Sequence, residues 1–381
     1  MNPELYLDNA ATTRPLTEAL DAAQPYLAER FGNPSSLHPE GLEAHRAIKR
    51  AREQIARLLE VPPQAVVFTS GGTESDNLAL RGVFASARLK GDRLLISAIE
   101  HPAVSETARA LEREGVRVER LPVAAEGVLD LARLEETLDG DVRLLSCMAV
   151  NNELGTSQPL AEIGRLLKAR APRAVFHVDA VQAFTKAPLP WREAAIDLLT
   201  LSGHKIHAPK GVGALVRCSP VPLEPWLLGG GQEGGLRSGT ENPFAVVAMG
   251  EAAAGSTVRH REQRGEREAF FRGWLEFLAE FPRLKVFRSP AATPFIINFS
   301  NPPIPGEVTL HHLAEQGLLV STGSACSTRK PEPSAVLLAV GMSEQEAVSS
   351  IRLSFSFPNT LAGQPEVFAA FRRALHKLER F

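Results

Sequence analysis

The sequence predicts an α/β fold, with a mainly parallel central sheet covered by helices and a smaller α+β domain beside it. Three observations carry this expectation. Short apolar runs alternate with amphipathic segments of helical period through the first two-thirds of the chain. The apolar runs are nearly continuous, as in strands buried on both faces. Near Gly255 the pattern changes to a densely charged stretch, Arg259 to Arg272, followed by apolar residues at helical spacing. This places a boundary near residue 256, with 15–256 as the large domain and 1–14 plus 257–381 as the small one.

The elements follow in order. Residues 38–59 have helical periodicity and many charges. Residues 65–69 (AVVFT) read as a strand and 74–87 as a helix. A strand at 93–97 (RLLIS) precedes a helix at 103–114. Residues 142–150 are strand-like and 160–171 helical. Strands at 174–178 (AVFHV), 198–201 and 212–216 complete the sheet.

Bulk properties exclude several functions. The 381 residues carry a formal charge of −2, and no run of basic residues argues for nucleic acid. No stretch approaches the length of an apolar membrane span. The start, MNPELYLDNA, lacks the basic and apolar regions of a secretory leader, so a cytoplasmic location is expected. Three scattered cysteines, Cys147, Cys218 and Cys326, suit a reducing compartment. Neither CxxC nor HExxH occurs, and no metal site is expected.

In such folds ligands bind beyond the carboxyl ends of the strands. TSGGTE (69–74) joins a strand to a helix, either as an ordinary turn capped by Thr73 or as an anion cradle of backbone amides. His101 follows the next strand, and NNELGT (151–156) the one after. Either could be merely structural. Asp179 ends a strongly apolar strand, where a carboxylate needs a partner: an ion pair, a helix cap or the cationic nitrogen of a buried ring. Lys205 comes 26 positions later, one βαβ unit on. A lysine placed there is best explained by chemistry, such as a Schiff base. Each signal is weak alone. Together, a phosphate cradle, a strand-end carboxylate and a strand-end amine are what pyridoxal phosphate requires.

The segments YLDNAATT (6–13), FGNPSSLH (31–38), TSGGTESDN (69–77), EHPAV (100–104), NNELGT (151–156), HVDAVQ (177–182), SGHKIHAPKG (202–211), GGGQEGGLRSGTEN (229–242) and STGSACST (321–328) span nearly the whole chain. In that order they resemble the cysteine desulfurases, pyridoxal-phosphate enzymes of the class-V aminotransferase family and its aminotransferase-like fold. STGSACST resembles the group whose reactive cysteine lies on a long mobile loop, here 321–333. The resemblance implies removal of sulfur from L-cysteine, giving L-alanine and a persulfide on Cys326 for transfer to an iron–sulfur scaffold or a thiolation carrier. It implies that Lys205 carries pyridoxal 5′-phosphate, that Asp179 pairs with the ring nitrogen and Gln182 with the ring hydroxyl. His101 would stack on the ring and assist proton transfer. Gly72, Thr73, Ser202 and His204 would bind the phosphate, and Thr240 would reach the phosphate of the neighbouring subunit in a homodimer. Asn152 would orient cofactor and substrate. Arg352 would clamp the substrate carboxylate, and Asn33 would lie near the substrate.

Read from its own surroundings, Cys326 is a cysteine among small polar residues beside Arg329 and Lys330, a setting that favours thiolate. Cys147 and Cys218 lie in or beside apolar runs and read as packing. Several positions depart from the family pattern. His207-Ala208 stands where Tyr-Gly is usual, Gly234-Gly235 where a charged residue is common, and LSFSFPNT follows where a glycine is expected. After LERF the chain is also expected to lack the longer tail by which housekeeping relatives dock a cluster scaffold. Alternatives in the same cofactor class are a selenocysteine lyase or another lyase or aminotransferase. A catalytically poor delivery subunit is a further alternative.

Overall fold

The computed structural model describes residues 2–323 and 333–378. The first seven strands are β1 (Val66–Thr69), β2 (Arg93–Ser97), β3 (Arg117–Leu121), β4 (Val142–Ser146), β5 (Val175–Asp179), β6 (Leu198–Ser202) and β7 (Gly213–Arg217). They form one sheet in the order β1-β7-β6-β5-β4-β2-β3, in which β7 alone runs against its neighbours. Alternate residues of each strand point to opposite faces. Leu95, Phe176, Val178, Leu199 and Leu201 pack under the helices Pro39–Leu59, Leu160–Arg170 and Pro243–Glu262. Leu94, Ile96, Leu144, Val175 and Leu198 pack under the helices Gly72–Ala85 and Pro102–Arg113. Both faces are therefore dry, as the continuous apolar runs required.

The remaining strands, β8 (Lys285–Val286), β9 (Ile296–Ser300), β10 (Ser321–Thr322) and β11 (Ser350–Ser354), form an antiparallel sheet in the order β10-β11-β9-β8. Its core joins Ile297, Phe299, Ile351 and Leu353 to Trp274, Phe277 and Phe371 from the helices Arg264–Ala279 and Gln364–Leu378. Leu7 from the start of the chain belongs to this core. The helix Pro243–Glu262 runs uninterrupted through position 256. The chain turns at Gln263, which ends that helix and begins the next.

Three details differ from the sequence expectation. The crossover from β5 to β6 contains no helix but a series of turns. Pro188 and Pro190 explain this, since each removes an amide and blocks the preceding helical turn. The strand expected at 142–150 ends at Ser146, although the amides of Cys147 and Ala149 still donate to the carbonyls of His177 and Asp179. Finally, Thr73 does not cap its helix. The helix begins at Gly72, and Gly71 occupies the cap position without a side-chain bond.

Candidate active site

The carboxyl ends of β5 and β6 lie side by side, with Asp179 opposite Thr200. Asp179 is buried, and its Oδ1 accepts the Val181 amide at 2.9 Å. Burial pushes its carboxyl up to about 6, against the pull of that amide and of the nearby Lys205 charge. Three residues past the end of β6, a short turn at Gly203–Lys205 presents Lys205. Its Nζ donates to the carbonyl of Ala10 and, at 2.9 Å, to that of Ala11. Gln182 Nε2 donates to the same Ala10 carbonyl at 2.9 Å. Asp179, Gln182 and Lys205 thus converge on one crevice.

The turn after β1 closes one side of it. An added Cβ at Gly72 would stand 3.0 Å from Val181 Cγ2 and 3.5 Å from Ser202 Cβ, so this turn lies against the ends of β5 and β6. A Cβ at Gly71 would meet open space. The leading amides of the helix Gly72–Ala85 have no partners within the helix, and the Gly71 cap supplies no side chain. Ser202 lies beside this uncapped helix end, Thr73 belongs to its first turn, and His204 stands two residues past Ser202 in the turn after β6. That donor set fits a phosphate, and the buried Asp179 fits a protonated ring nitrogen. The residues present therefore suit pyridoxal phosphate. His204 Nδ1 lies 3.2 Å from Thr12 Oγ1. Its imidazole is held down to about 4 by burial and by Lys205, and hence is neutral.

His101 caps the helix Pro102–Arg113. Its Nδ1 accepts the Ala103 amide at 3.1 Å, which places the ring proton on Nε2. Burial and the Lys205 charge hold it down to about 4. Beside it, Glu100 is buried with Oε1 bound to Ser97 Oγ and to the Met148 amide, while Oε2 has no hydrogen-bond partner. Burial pushes Glu100 up to about 8, so it carries a proton at neutral pH. Under Asp179 lies a second buried carboxyl, Asp76, 3.5 Å from His177 Nε2. Burial and the Asp179 charge raise it well above the carboxylate range. His177 is neutral, bonded to Ser146 and Thr200. Sequence reasoning assigned no role to Glu100 or Asp76. The available signal was an acid on an apolar helix face, with Asp76, Leu80 and Val83 all buried.

Arg352 approaches from the small sheet. It is 3% exposed at the centre of β11, and its Nη1 donates to the Asn152 carbonyl at 2.9 Å. Its Nη2 pairs with Asp8 Oδ1 at 3.0 Å. Glu153, next to Asn152, is also buried, and its Oε2 accepts from Ser334 Oγ at 2.6 Å. Burial pushes Glu153 up to about 7, opposed by the Ser334 bond and by Arg352.

The structure does not bring every expected residue to this crevice. Asn33 is exposed and bonds within its own turn, through Oδ1 to the Ser35 amide. Thr240 is exposed in a segment moored by ion pairs between Arg52 and Glu233 and between Arg237 and Glu74. Cys326 lies outside the described residues. Cys147 is buried and Cys218 partly so, and burial pushes both thiols up.

Two of the departures from the family pattern touch each other. His207 Nε2 meets Ser356 Oγ at 2.7 Å, and its ring lies 4.1 Å from that of Phe357. Its Nδ1 holds the Arg14 carbonyl at 2.7 Å, which fixes a residue whose φ is +66°. A cavity of about 740 Å³ lies elsewhere, between Phe184–Glu193, His260–Glu268 and Ala292–Phe295. It contains none of the residues expected to bind cofactor or substrate. No described helix is long and apolar enough to cross a membrane.

Residues 5–363 match the family model described as aminotransferase class-V. A cysteine desulfurase of Trichormus azollae is 43% identical over 353 residues, covering 92% of this chain and 87% of the relative. A protein of Lactobacillus delbrueckii subsp. bulgaricus, described as a NifS/IcsS protein homolog, is 40% identical over 372 residues and covers 96% of each chain. Among solved structures, a NifS-like protein superposes with a TM-score of 0.91 at 33% identity, covering 99% of both chains.

Proposed function

The chain belongs to the aminotransferase class-V family, and on that premise we propose that it is a cysteine desulfurase working with pyridoxal 5′-phosphate. The observation that carries the reading is the convergence of Lys205 and Asp179 at the ends of neighbouring strands, beside an uncapped helix N-terminus. When bound, the cofactor supplies an aldehyde for the substrate amine and a ring that accepts electrons. Lys205 would carry it and would move the substrate α-proton on its Nζ. Asp179 keeps the ring nitrogen protonated. Gln182 would bind the ring hydroxyl, and Gly72, Thr73, Ser202 and His204 would hold the phosphate. His101, neutral with its proton on Nε2, can donate that proton and take it back. Asn152 and Arg352 orient the substrate, with the guanidinium binding its carboxylate. Asn33 belongs to the substrate side of this reading.

The Cys326 thiolate takes the sulfur. Its S–S bond forms as the substrate C–S bond breaks, so L-cysteine and the thiol become L-alanine and a cysteine persulfide. The persulfide passes its sulfur to an acceptor protein, an iron–sulfur scaffold or a thiolation carrier, in the cytoplasm. A homodimer completes the site, with Thr240 reaching the neighbouring phosphate. Supporting this, Phe31, Leu37 and Leu228 are 77%, 89% and 82% exposed in segments that share in the family resemblance or adjoin one that does. Apolar side chains so placed mark a surface for a partner.

The test supplies L-cysteine and reductant to the wild type and to Cys326→Ala. Equimolar sulfide and alanine are expected from the wild type, with neither produced by the variant although its cofactor absorbance is retained. Alanine without sulfide, or full turnover by the variant, overturns the assignment. Sedimentation of the holoenzyme at monomer mass would remove the dimer.

A further inference from the structure

One short segment ties the two halves of the site together. Residues 6–13 run beside β11, where the Ser354 amide donates to the Leu7 carbonyl at 2.7 Å and the Asn9 amide to the Ser354 carbonyl at 3.2 Å. The Ala10 amide then donates to Ser354 Oγ at 2.8 Å. Asp8 lies within this stretch and holds Arg352. Two and three residues on, the carbonyls of Ala10 and Ala11 accept Lys205 Nζ. Thr13 Oγ1 donates to the His204 carbonyl and accepts the His207 amide. A single strap thus fixes the substrate anchor and the cofactor lysine relative to one another.

Arg352 sits in the interior, where an unpaired guanidinium would be strongly disfavoured. Asp8 supplies its only ion pair among the described residues. A guanidinium has five N–H donors. The Asn152 carbonyl and Asp8 each take one, and Nε is buried without a partner. Enough of the fork remains for an incoming carboxylate without displacing Asp8. Other charged or titratable groups act on the pair: Lys205 on Asp8, Tyr6 beside it and Glu153 near Arg352. Glu153 already accepts from Ser334. Without the Asp8 charge, the Asn152 carbonyl is the one hydrogen-bond partner left to orient Arg352 among the described residues.

We propose that Asp8 is the positioning residue that presents Arg352 to the substrate carboxylate. The proposal rests on reading Arg352 as that anchor. Asp8 need not touch the substrate. It neutralises the guanidinium, orients it and sets its distance from Lys205 through the strap.

The experiment uses two non-reacting amines that differ by the carboxylate alone, L-alanine and ethylamine. Binding of each to the holoenzyme is read from the cofactor absorbance, and the ratio of the two dissociation constants measures carboxylate recognition. Wild type is expected to favour alanine strongly, and Arg352→Ala to lose that preference. Asp8→Asn, which keeps size and shape, should lower the preference at least tenfold while ethylamine affinity moves less than about twofold. Asp8→Glu should restore part of it. A loosened fold would weaken both amines alike and leave the ratio unchanged. A ratio within twofold of wild type in Asp8→Asn, with Arg352→Ala collapsed, overturns the role of Asp8 alone. An unchanged ratio in Arg352→Ala overturns the anchor and the proposal with it. Should Asp8→Asn fail to hold cofactor, Asp8→Glu carries the same comparison, with a ratio below wild type expected and an unchanged one overturning the proposal.

Discussion

Asp179 is the last residue of β5, and Lys205 follows the last residue of β6 by three. Arg352, by contrast, is the third of the five residues of β11, flanked in the sheet by Ser321 and Asn298. The parallel sheet delivers its groups from strand ends, where loops can shape a crevice. The antiparallel sheet delivers a cation from a strand centre, where it is 3% exposed and must be neutralised by the fold itself. Lys205, half-buried in a turn past a strand end, can therefore be specialised for chemistry with little effect on stability. A group at a strand centre couples binding to stability.

The largest expected effect probes the strand-end side. Lys205→Ala should lower alanine production from L-cysteine by on the order of 10⁴-fold or more while the apo-protein melts near the wild-type temperature. A large drop in melting temperature would break the contrast. Arg352→Ala probes the other side and should lose stability as well as substrate binding, by about 3 kcal/mol, because Asp8 is left without its partner. Denaturant titration of Arg352→Ala, Asp8→Ala and the double variant measures the coupling, and additive losses would refute it.

A smaller effect is read in pH. Burial pushes Glu100 up to about 8. Folded protein then holds a proton that the unfolded chain releases above the ordinary glutamate value, so this contribution is present at low pH and lost as pH rises toward 8. Glu153, at about 7, and Asp179, at about 6, act in the same sense at lower pH. His101 and His177, held down near 4 and 3, act in the opposite sense and weaken the fold as pH falls below about 6.5. Glu100→Gln should flatten the decline between pH 6 and 9 by about 2 kcal/mol. An unchanged slope would mean that Glu100 is ionised in the fold. The smallest effect is at Ser356→Ala, which leaves His207 Nε2 unpaired in the interior and should cost about 1 kcal/mol without altering turnover.

The same contrast explains what the sequence could reveal. Strands β1, β2 and β4 to β7 were legible because burial on both faces leaves continuous apolar runs. Strand β3, RVERL, was not, because this edge strand keeps three charged residues among its five. The small-sheet strands are too short or too polar to announce themselves; β8 and β10 have two residues each. Asp179 and Lys205 stood out as charges at the ends of apolar runs. Arg352 was identified only through the family resemblance, since SIRLS reads as an ordinary alternating strand. Asp8 carried no local signal, because its significance lies in a partner 344 residues away. The spatial match of His207 with Ser356 was hidden for the same reason, across 149 residues.

That separation has a consequence for how the protein is made. The strap carrying Asp8 is synthesised well before β11. At about 5–20 residues per second, a ribosome needs tens of seconds to add what lies between them. The parallel sheet can close much earlier, since its final strand ends at Arg217. A nascent chain therefore passes through a stage in which β5 and β6 are paired while residues 6–13, whose Ala10 and Ala11 carbonyls hold Lys205, still await β11. Translation stopped short of residue 350 would yield a product without its carboxylate anchor and without the strand that seats the strap beside Lys205.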